Sequence, residues 1–511
     1  MSEKNRENAD KKWESAHKFS VYFYNSLTYA GATLALLVFF IECILFALDF
    51  FSPSSNVYLG LITYAILPPF LILGLVLIPV GAWNKRRRVL RGTSSLRPRT
   101  FFIDPSISTH RNAIVIFVTG TIILVVMTAI GSYKAFHYTE SVQFCGTTCH
   151  NLMTPQFTRY RQSSHARVKC VECHIGAGAD WYVRSKISGV RQIFKTIQNT
   201  YPRPIPTPVH NLRPAEETCQ QCHWPDKFFS SFEMRRQYFL SSEKDNPGWS
   251  MRMLIHVGGK GTATSGIHAH MYMDNDVYYV ADDERRQVIS WVKTIDKQGK
   301  ETIYTAPDSP YKDKQPPAQL VRKMDCIDCH NRPTHRFEPP DKLLNAAMAA
   351  GLVDPRIPAI KHHALEVLSA NYETTQQAER AIREKLTGYY QKEFGESFAA
   401  RKAEVDRAIE QVVVIYKNNF FPEMKSRWDA FPDNIGHMVS PGCFRCHDDK
   451  HTSAQGKTIP RDCTTCHTII EQGPPGALEK NIDGLPFKHP VDISDMWQEM
   501  NCFDCHTGGP F

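Results

Sequence analysis

Three long apolar runs lie in the first 133 residues, and none of comparable length follows them. Residues 27–51, 57–83 and 113–133 each hold the roughly 20 residues that a helix needs to cross a bilayer. The pattern predicts three transmembrane helices. The first is too long and too weakly terminated for a cleaved secretory signal, so it reads as a retained anchor. Pro68, Pro69 and Pro79 are expected to kink the second. Glu42 is the polar exception inside the first run. An intramembrane carboxyl is either functional or a protonated group bonded to a neighbouring helix.

Beyond residue 134 the pattern changes twice. Alternation between Met251 and Ala306 predicts a small β-rich insertion, with a hairpin whose strands flank Lys297-Gln-Gly-Lys300. Residues 339–428 read as helical. Thr374-Thr-Gln-Gln377 can form a capping box ahead of Ala378, Ile382, Leu386 and Tyr389, and Val405, Ile409, Val412 and Tyr416 repeat the spacing. These stripes are expected to be packed core. The resulting division is a segment 1–26, an anchor 27–133 with a basic loop 84–112, a block 134–338, a helical connector 339–428 and a segment 429–511 with little regular structure.

Charge orients the anchor. Lys4, Arg6, Lys11, Lys12 and Lys18 precede the first run, and Lys85 to Arg88, Arg91, Arg97, Arg99 and Arg111 fill the second connection. Residues 52–56 carry no basic residue. The positive-inside rule places the amino terminus and loop 84–112 in the cytoplasm and everything after residue 133 on the outer side. The net charge of +8 comes largely from those cytoplasmic segments, so it does not argue for nucleic acid.

The chemistry resides in the cysteines, 14 of 15 of which fall in seven motifs. Six read C-x-x-C-H: Cys170/Cys173/His174, Cys219/Cys222/His223, Cys326/Cys329/His330, Cys443/Cys446/His447, Cys463/Cys466/His467 and Cys502/Cys505/His506. The seventh, Cys145/Cys149/His150, has one extra residue between its cysteines. Two thiols that form thioethers beside an imidazole that binds iron are the signature of c-type haem. A disulfide framework requires no His after each second Cys, and zinc ribbons pair their CxxC units, which seven His-terminated units cannot do. Cys43 remains as a buried, inert thiol.

A second axial ligand would make each iron six-coordinate and suited to electron transfer. The candidates are His165, His210, His256, His268, His270, His335, His437, His451 and His489. Each is alternatively an ordinary polar histidine. Met153, three residues after His150, is either a weak sixth ligand or a packing residue. His137, His362 and His363 rank lower.

The runs Phe144-Cys-Gly-Thr-Thr-Cys-His-Asn-Leu-Met153, Tyr160-Arg-Gln-Ser-Ser-His165, Cys170-Val-Glu-Cys-His174, Gly266-Ile-His-Ala-His270 and Cys326-Ile-Asp-Cys-His-Asn-Arg-Pro-Thr-His335 resemble the NapC/NirT family of membrane-anchored quinol dehydrogenase cytochromes. The resemblance covers about 135–335. It implies a membrane-anchored multihaem cytochrome c of the inner membrane, although the three spans read from the apolar runs exceed the single helix of the simplest relatives; after them a mainly helical and irregular, haem-packed periplasmic domain is expected. It further implies that menaquinol is oxidised at the haem nearest the membrane and that periplasmic c-type cytochromes take the electrons. Lys186 matches the family's quinol-site lysine. The position of its acid holds Gln192, which leaves Asp180 or Glu140 as substitutes. A homo-oligomer is compatible with the sequence. Two other classes stay open: a terminal reductase with a five-coordinate haem, and a conduit subunit without a quinol site.

Seven motifs predict seven covalently attached haems in the purified protein. Intact mass reads this directly, and a count of six would remove the assignment at Cys145.

Overall fold

The computed structural model describes residues 21–51, 62–91, 105–106, 108–148, 150–176, 178–209, 213–224, 228, 230–242, 244–258, 266–270 and 275–510. Two compact units result, residues 1–148 and 149–511.

The first unit contains the long helices α1 (Ser26–Phe51), α2 (Leu67–Leu90) and α3 (Ser108–Thr139), followed by the short α4 (Val142–Thr147). Three of these are long and apolar enough to cross a membrane. The second differs from its expected span of 57–83. Its α-helix begins at Leu67, after a π-helical turn at Ile62–Ile66, and 57–61 lie outside the described residues. Pro68 and Pro69 fall in its first turn, where a missing N–H leaves no bond unmade, so of the three prolines only Pro79 is interior.

Helices α1 and α2 pack antiparallel through small residues. A Cβ on Gly74 would lie 2.7 Å from the Ala35 backbone nitrogen, and one on Gly31 would lie 2.8 Å from the Gly74 carbonyl oxygen. Glycine lets the two backbones approach, which matters where lipid provides no hydrophobic drive between helices. Thr28 Oγ1 donates to the Ile78 carbonyl at 3.2 Å, and Lys85 Nζ donates to the Tyr24 carbonyl at 2.5 Å. The start of α1 and the basic end of α2 therefore lie together.

The second unit opens with α5 (His150–Arg161), α6 (Cys170–His174), α7 (Ala179–Ile197) and α8 (Ala215–Cys219). Strands β1 (Ser231–Phe239), β2 (Gly248–His256), β3 (Asn275–Ala281), β4 (Ile289–Asp296), β5 (Glu301–Thr305) and β6 (Arg322–Lys323) follow, then α9 (Cys326–Cys329). The expected hairpin is present: β4 and β5 pair antiparallel with Ile295 opposite Glu301. It is not part of a self-contained insertion, however. Strands β7 (Thr452–Ser453), β8 (His467–Gly473) and β9 (Glu479–Lys480) complete two sheets, ordered β1-β2-β8-β9 and β6-β3-β4-β5-β7. The segment after 429, expected to be irregular, therefore supplies strands to both. β8 alternates too weakly to be recognised from sequence, because its last five residues, Ile469 to Gly473, are all buried.

Helices α10 (Pro340–Ala349), α11 (Ile360–Ser369) and α12 (Thr375–Asn419) form the connector, and α13 (Met496–Glu499) and α14 (Cys502–Cys505) end the chain. Gly395, at φ 44 and ψ −113, breaks α12 into two arms. Arg383 pairs with Glu410 at 2.7 Å and Lys417 with Glu379 at 3.2 Å, although a straight helix would separate 383 and 410 by about 40 Å. The arms fold back on each other. Thr374 caps the first, its Oγ1 accepting from the Gln377 N–H at 3.1 Å. Ala378, Ile382, Leu386, Val405, Ile409, Val412 and Tyr416 are buried with Leu344, Leu365 and Trp428 in one apolar cluster. Tyr390, rather than Tyr389, is the fully buried tyrosine of that stripe.

Substituting Gly74→Val should destabilise the α1–α2 pair by about 2 kcal/mol, because its closest contact is backbone that cannot swing away. Thermal unfolding in detergent, followed by far-ultraviolet circular dichroism, measures the loss.

Candidate functional site

Histidines that are distant in sequence meet in pairs. The His174 and His335 ring centroids lie 6.3 Å apart. His223 and His165 lie at 5.9 Å, His330 and His268 at 6.4 Å, and His447 and His270 at 5.6 Å. His467 and His437 lie at 6.2 Å, and His506 and His489 at 6.0 Å. Each pair joins one motif histidine to one candidate second ligand. An imidazole nitrogen sits about 2 Å from a bound metal, so two rings sharing one iron bring their centroids to about 6 Å.

The hydrogen bonds select the tautomer. The Nδ1 of His335 faces the Gln156 carbonyl at 2.9 Å, that of His268 the Val257 carbonyl at 3.1 Å, and that of His270 the Ile267 carbonyl at 3.0 Å. His489 does the same with Val491 at 2.7 Å, and His447 with Pro460 at 2.8 Å. A carbonyl only accepts, so Nδ1 carries the proton and Nε2 keeps its lone pair for a metal. Burial pushes His335 and His437 down to about 4, so both are neutral near pH 7. The buried Nδ1 atoms of His437 and His467 have no protein hydrogen-bond partner.

Two candidates are placed otherwise. His451 is buried with Nδ1 3.0 Å from the Asp448 carboxylate and Nε2 3.0 Å from the Ile289 carbonyl. Both nitrogens are engaged, which makes it a structural pin. His256 Nε2 meets Thr468 Oγ1 at 3.0 Å on the β2–β8 ladder, and His437 is the ring that faces His467. Cys149, His210 and the His150 side chain lie outside the described residues. Met153 is half-buried on α5. Among the described residues no disulfide joins the motif cysteines.

The short helices that carry the motifs explain how the cysteines are presented. Asp325 and Asp328 form a capping box around Cys326–Cys329, and Asn501 and Asp504 form another around Cys502–Cys505. Asp328, 2 % exposed, also accepts from Tyr279 Oη at 2.7 Å, Arg286 Nη1 at 2.9 Å and Arg322 Nε at 2.9 Å. Its backbone carbonyl accepts from Arg445 Nη2 at 2.8 Å and Asn434 Nδ2 at 2.9 Å. Sequence reading missed this hub. The repeated pattern of Asp or Asn, then C-x-D-C-H, was its available signal.

The quinol-site candidates are divided by geometry. Lys186 lies on α7 among Val183, Ile187, Val190, Phe194 and Ile197, a solvent-facing apolar stripe in which Ile187 is 61 % and Ile197 76 % exposed. Its Nζ sits 4.7 Å from the Tyr182 ring centre. Arg184, Arg191 and Lys195 line the flank of that stripe. Gln192 lies about 120° around the helix from Lys186 and bonds Ser188 Oγ at 3.2 Å, so the two do not share a face. Asp180 is also about 120° away, in the first turn. Glu140 follows α3 in the first unit, its N–H donating to the Phe136 carbonyl.

The N-terminal region of the NapC/NirT cytochrome c family matches residues 107–205. The chain is 39% identical over 496 residues to the cytochrome c-type protein ImcH of Geobacter sulfurreducens, covering 96% of each. It is 30% identical over 97 residues to the cytochrome c-type protein NrfH of Wolinella succinogenes, 18% of this chain and 54% of that one. No solved structure matches.

His437→Ala should convert one low-spin ferric haem signal to high spin. His451→Gln should leave the spin states intact and lower unfolding stability by about 1–3 kcal/mol, the cost of stranding its buried partners. Electron paramagnetic resonance together with thermal unfolding separates the two roles.

Proposed function

The chain belongs to the NapC/NirT cytochrome c family, and on that premise we propose that it is a membrane quinol dehydrogenase, oxidising menaquinol and passing the electrons to periplasmic c-type cytochromes. The observation that carries this reading is α7. An apolar stripe bordered by arginine and lysine suits the boundary between acyl chains and headgroups, where a helix lies in the plane of the membrane. Lys186 is the cation within that stripe. A quinol dissolved in the bilayer meets such a group without leaving the lipid.

The chain's own residues have distinct tasks. The 14 motif cysteines hold haem covalently, and His150, His174, His223, His330, His447, His467 and His506 are the proximal iron ligands. His335, His165, His268, His270, His437 and His489 are the second ligands of the last six motifs, in the pairs their rings form. Met153 and His210 remain the candidates at the first. When bound, haem supplies one-electron redox chemistry, and two strong ligands keep it in the electron-transfer class. The Lys186 ammonium favours the negative charge that develops as a quinol hydroxyl loses its proton. The basic leader and loop support a topology with α7 and the motifs on the outer, periplasmic side of the inner membrane.

Lys186→Met should slow haem reduction by a menaquinol analogue about tenfold or more while haem content and reduction by a small soluble dye persist. Stopped-flow spectroscopy at the haem Soret band provides the measurement. A conduit without a quinol site would be reduced by the dye but not by quinol in the unsubstituted protein.

A further inference from the structure

The six motifs of the second unit are joined by a series of contacts, each linking one motif to the next in sequence. Gly176, two residues past His174, backs onto Arg213, whose Cδ and Nη1 a Cβ there would meet at 2.8 Å. Arg213 in turn pairs with Glu217 on α8, the helix that ends at Cys219. The Ala215 N–H at the start of α8 donates to Asp325 Oδ2 at 3.1 Å, and Asp325 caps the helix of the Cys326 motif. Arg445, inside the Cys443 motif, reaches the carbonyl of Asp328, inside the Cys326 motif.

Two further contacts complete the series. Phe444 of the Cys443 motif stacks at 4.3 Å and 6° on His437, the ring that faces His467 of the next motif. Arg461, two residues before Cys463, donates to the Met500 carbonyl at 2.7 Å, two residues before Cys502. Exposure does not single out an exit, because Cys173, Cys222 and Cys463 are as open as Cys505. Position in the series does. The last motif is held from one side by Trp428 Nε1, which donates to the Thr507 carbonyl at 3.0 Å, while Asp504 and Cys505 remain exposed.

We propose that these motifs stand in space in their sequence order, as one unbranched electron path from the Cys170 motif to the Cys502 motif, with the Cys502 motif as the exit. This rests on the reading of the protein as a quinol-fed electron carrier. Each quinol oxidised to quinone loses two electrons and two protons. The protons pass to water, and the electrons leave singly to two equivalents of a soluble ferric cytochrome, which is thereby reduced.

Two full-length variants test the order, each checked by intact mass for the loss of one haem. In Cys443→Ser/Cys446→Ser, a menaquinol analogue should rapidly reduce four of the six remaining haems, the last two lagging at least tenfold. In Cys502→Ser/Cys505→Ser, quinol should reduce all six remaining haems, while transfer to a soluble cytochrome falls at least tenfold. Prompt reduction of all six haems in the first variant, or normal transfer in the second, overturns the proposal. If the first variant does not accumulate, His270→Met, which keeps both thioethers, should impose the same lag between the first four haems and the last two, and its absence counts equally against the path. Wild-type protein that quinol cannot reduce defeats the quinol reading instead. The order is then read from ferric electron paramagnetic resonance, where loss of the Cys443 motif should alter the signals of its two neighbours and none beyond.

Discussion

An imidazole pair can serve one iron only if both rings present an unprotonated nitrogen across a fixed gap. No single short stretch of chain supplies both. In this protein the partner of His174 arrives after six strands and two further motifs, and the partner of His467 from before the preceding motif. Backbone carbonyls at Gln156, Val257, Ile267 and Val491 set the proton on the far nitrogen of each incoming ring. The loops between the regular elements are thereby fixed in position although few apolar residues hold them. Apolar packing is concentrated elsewhere, in the cysteine-free block around Leu344, Leu365, Ile382 and Val412.

What the sequence made legible was local. The C-x-x-C-H spacing, the apolar runs, the cap at Thr374 and the turn at 297–300 each involve residues within a few positions of one another, so residue type alone reports them. Ligand pairing was legible only as a list of candidates. Nothing adjacent to His451 in sequence distinguishes it from His437, and only the distant Ile289 carbonyl shows that its second nitrogen is engaged. The sharing of both sheets by strands from the carboxyl-terminal segment was hidden for the same reason: β7 and β9 are two residues long, too short to carry a period.

The resemblance around Lys186 leads to α7, whose geometry separates the residues it groups. Alignment by position treats Lys186 and Gln192 as one site, whereas helical geometry turns them to different faces. The side chains that do share the Lys186 face are apolar, which points to lipid before any particular proton acceptor.

The two sheets also impose a timetable on maturation. His268 and His270 lie 12 and 14 residues after β2 ends, and β2 is covered on its open edge by β8, which the ribosome makes more than two hundred residues later. Until that strand arrives, the edge of β2 stays unpaired, a row of backbone groups open to other partners. The helical hairpin buries its apolar stripe in a cluster that also takes in Phe239 of β1 and Phe337. A chain halted before β8 would thus be partly folded yet unable to close its middle section, and would be visible to proteases at that point.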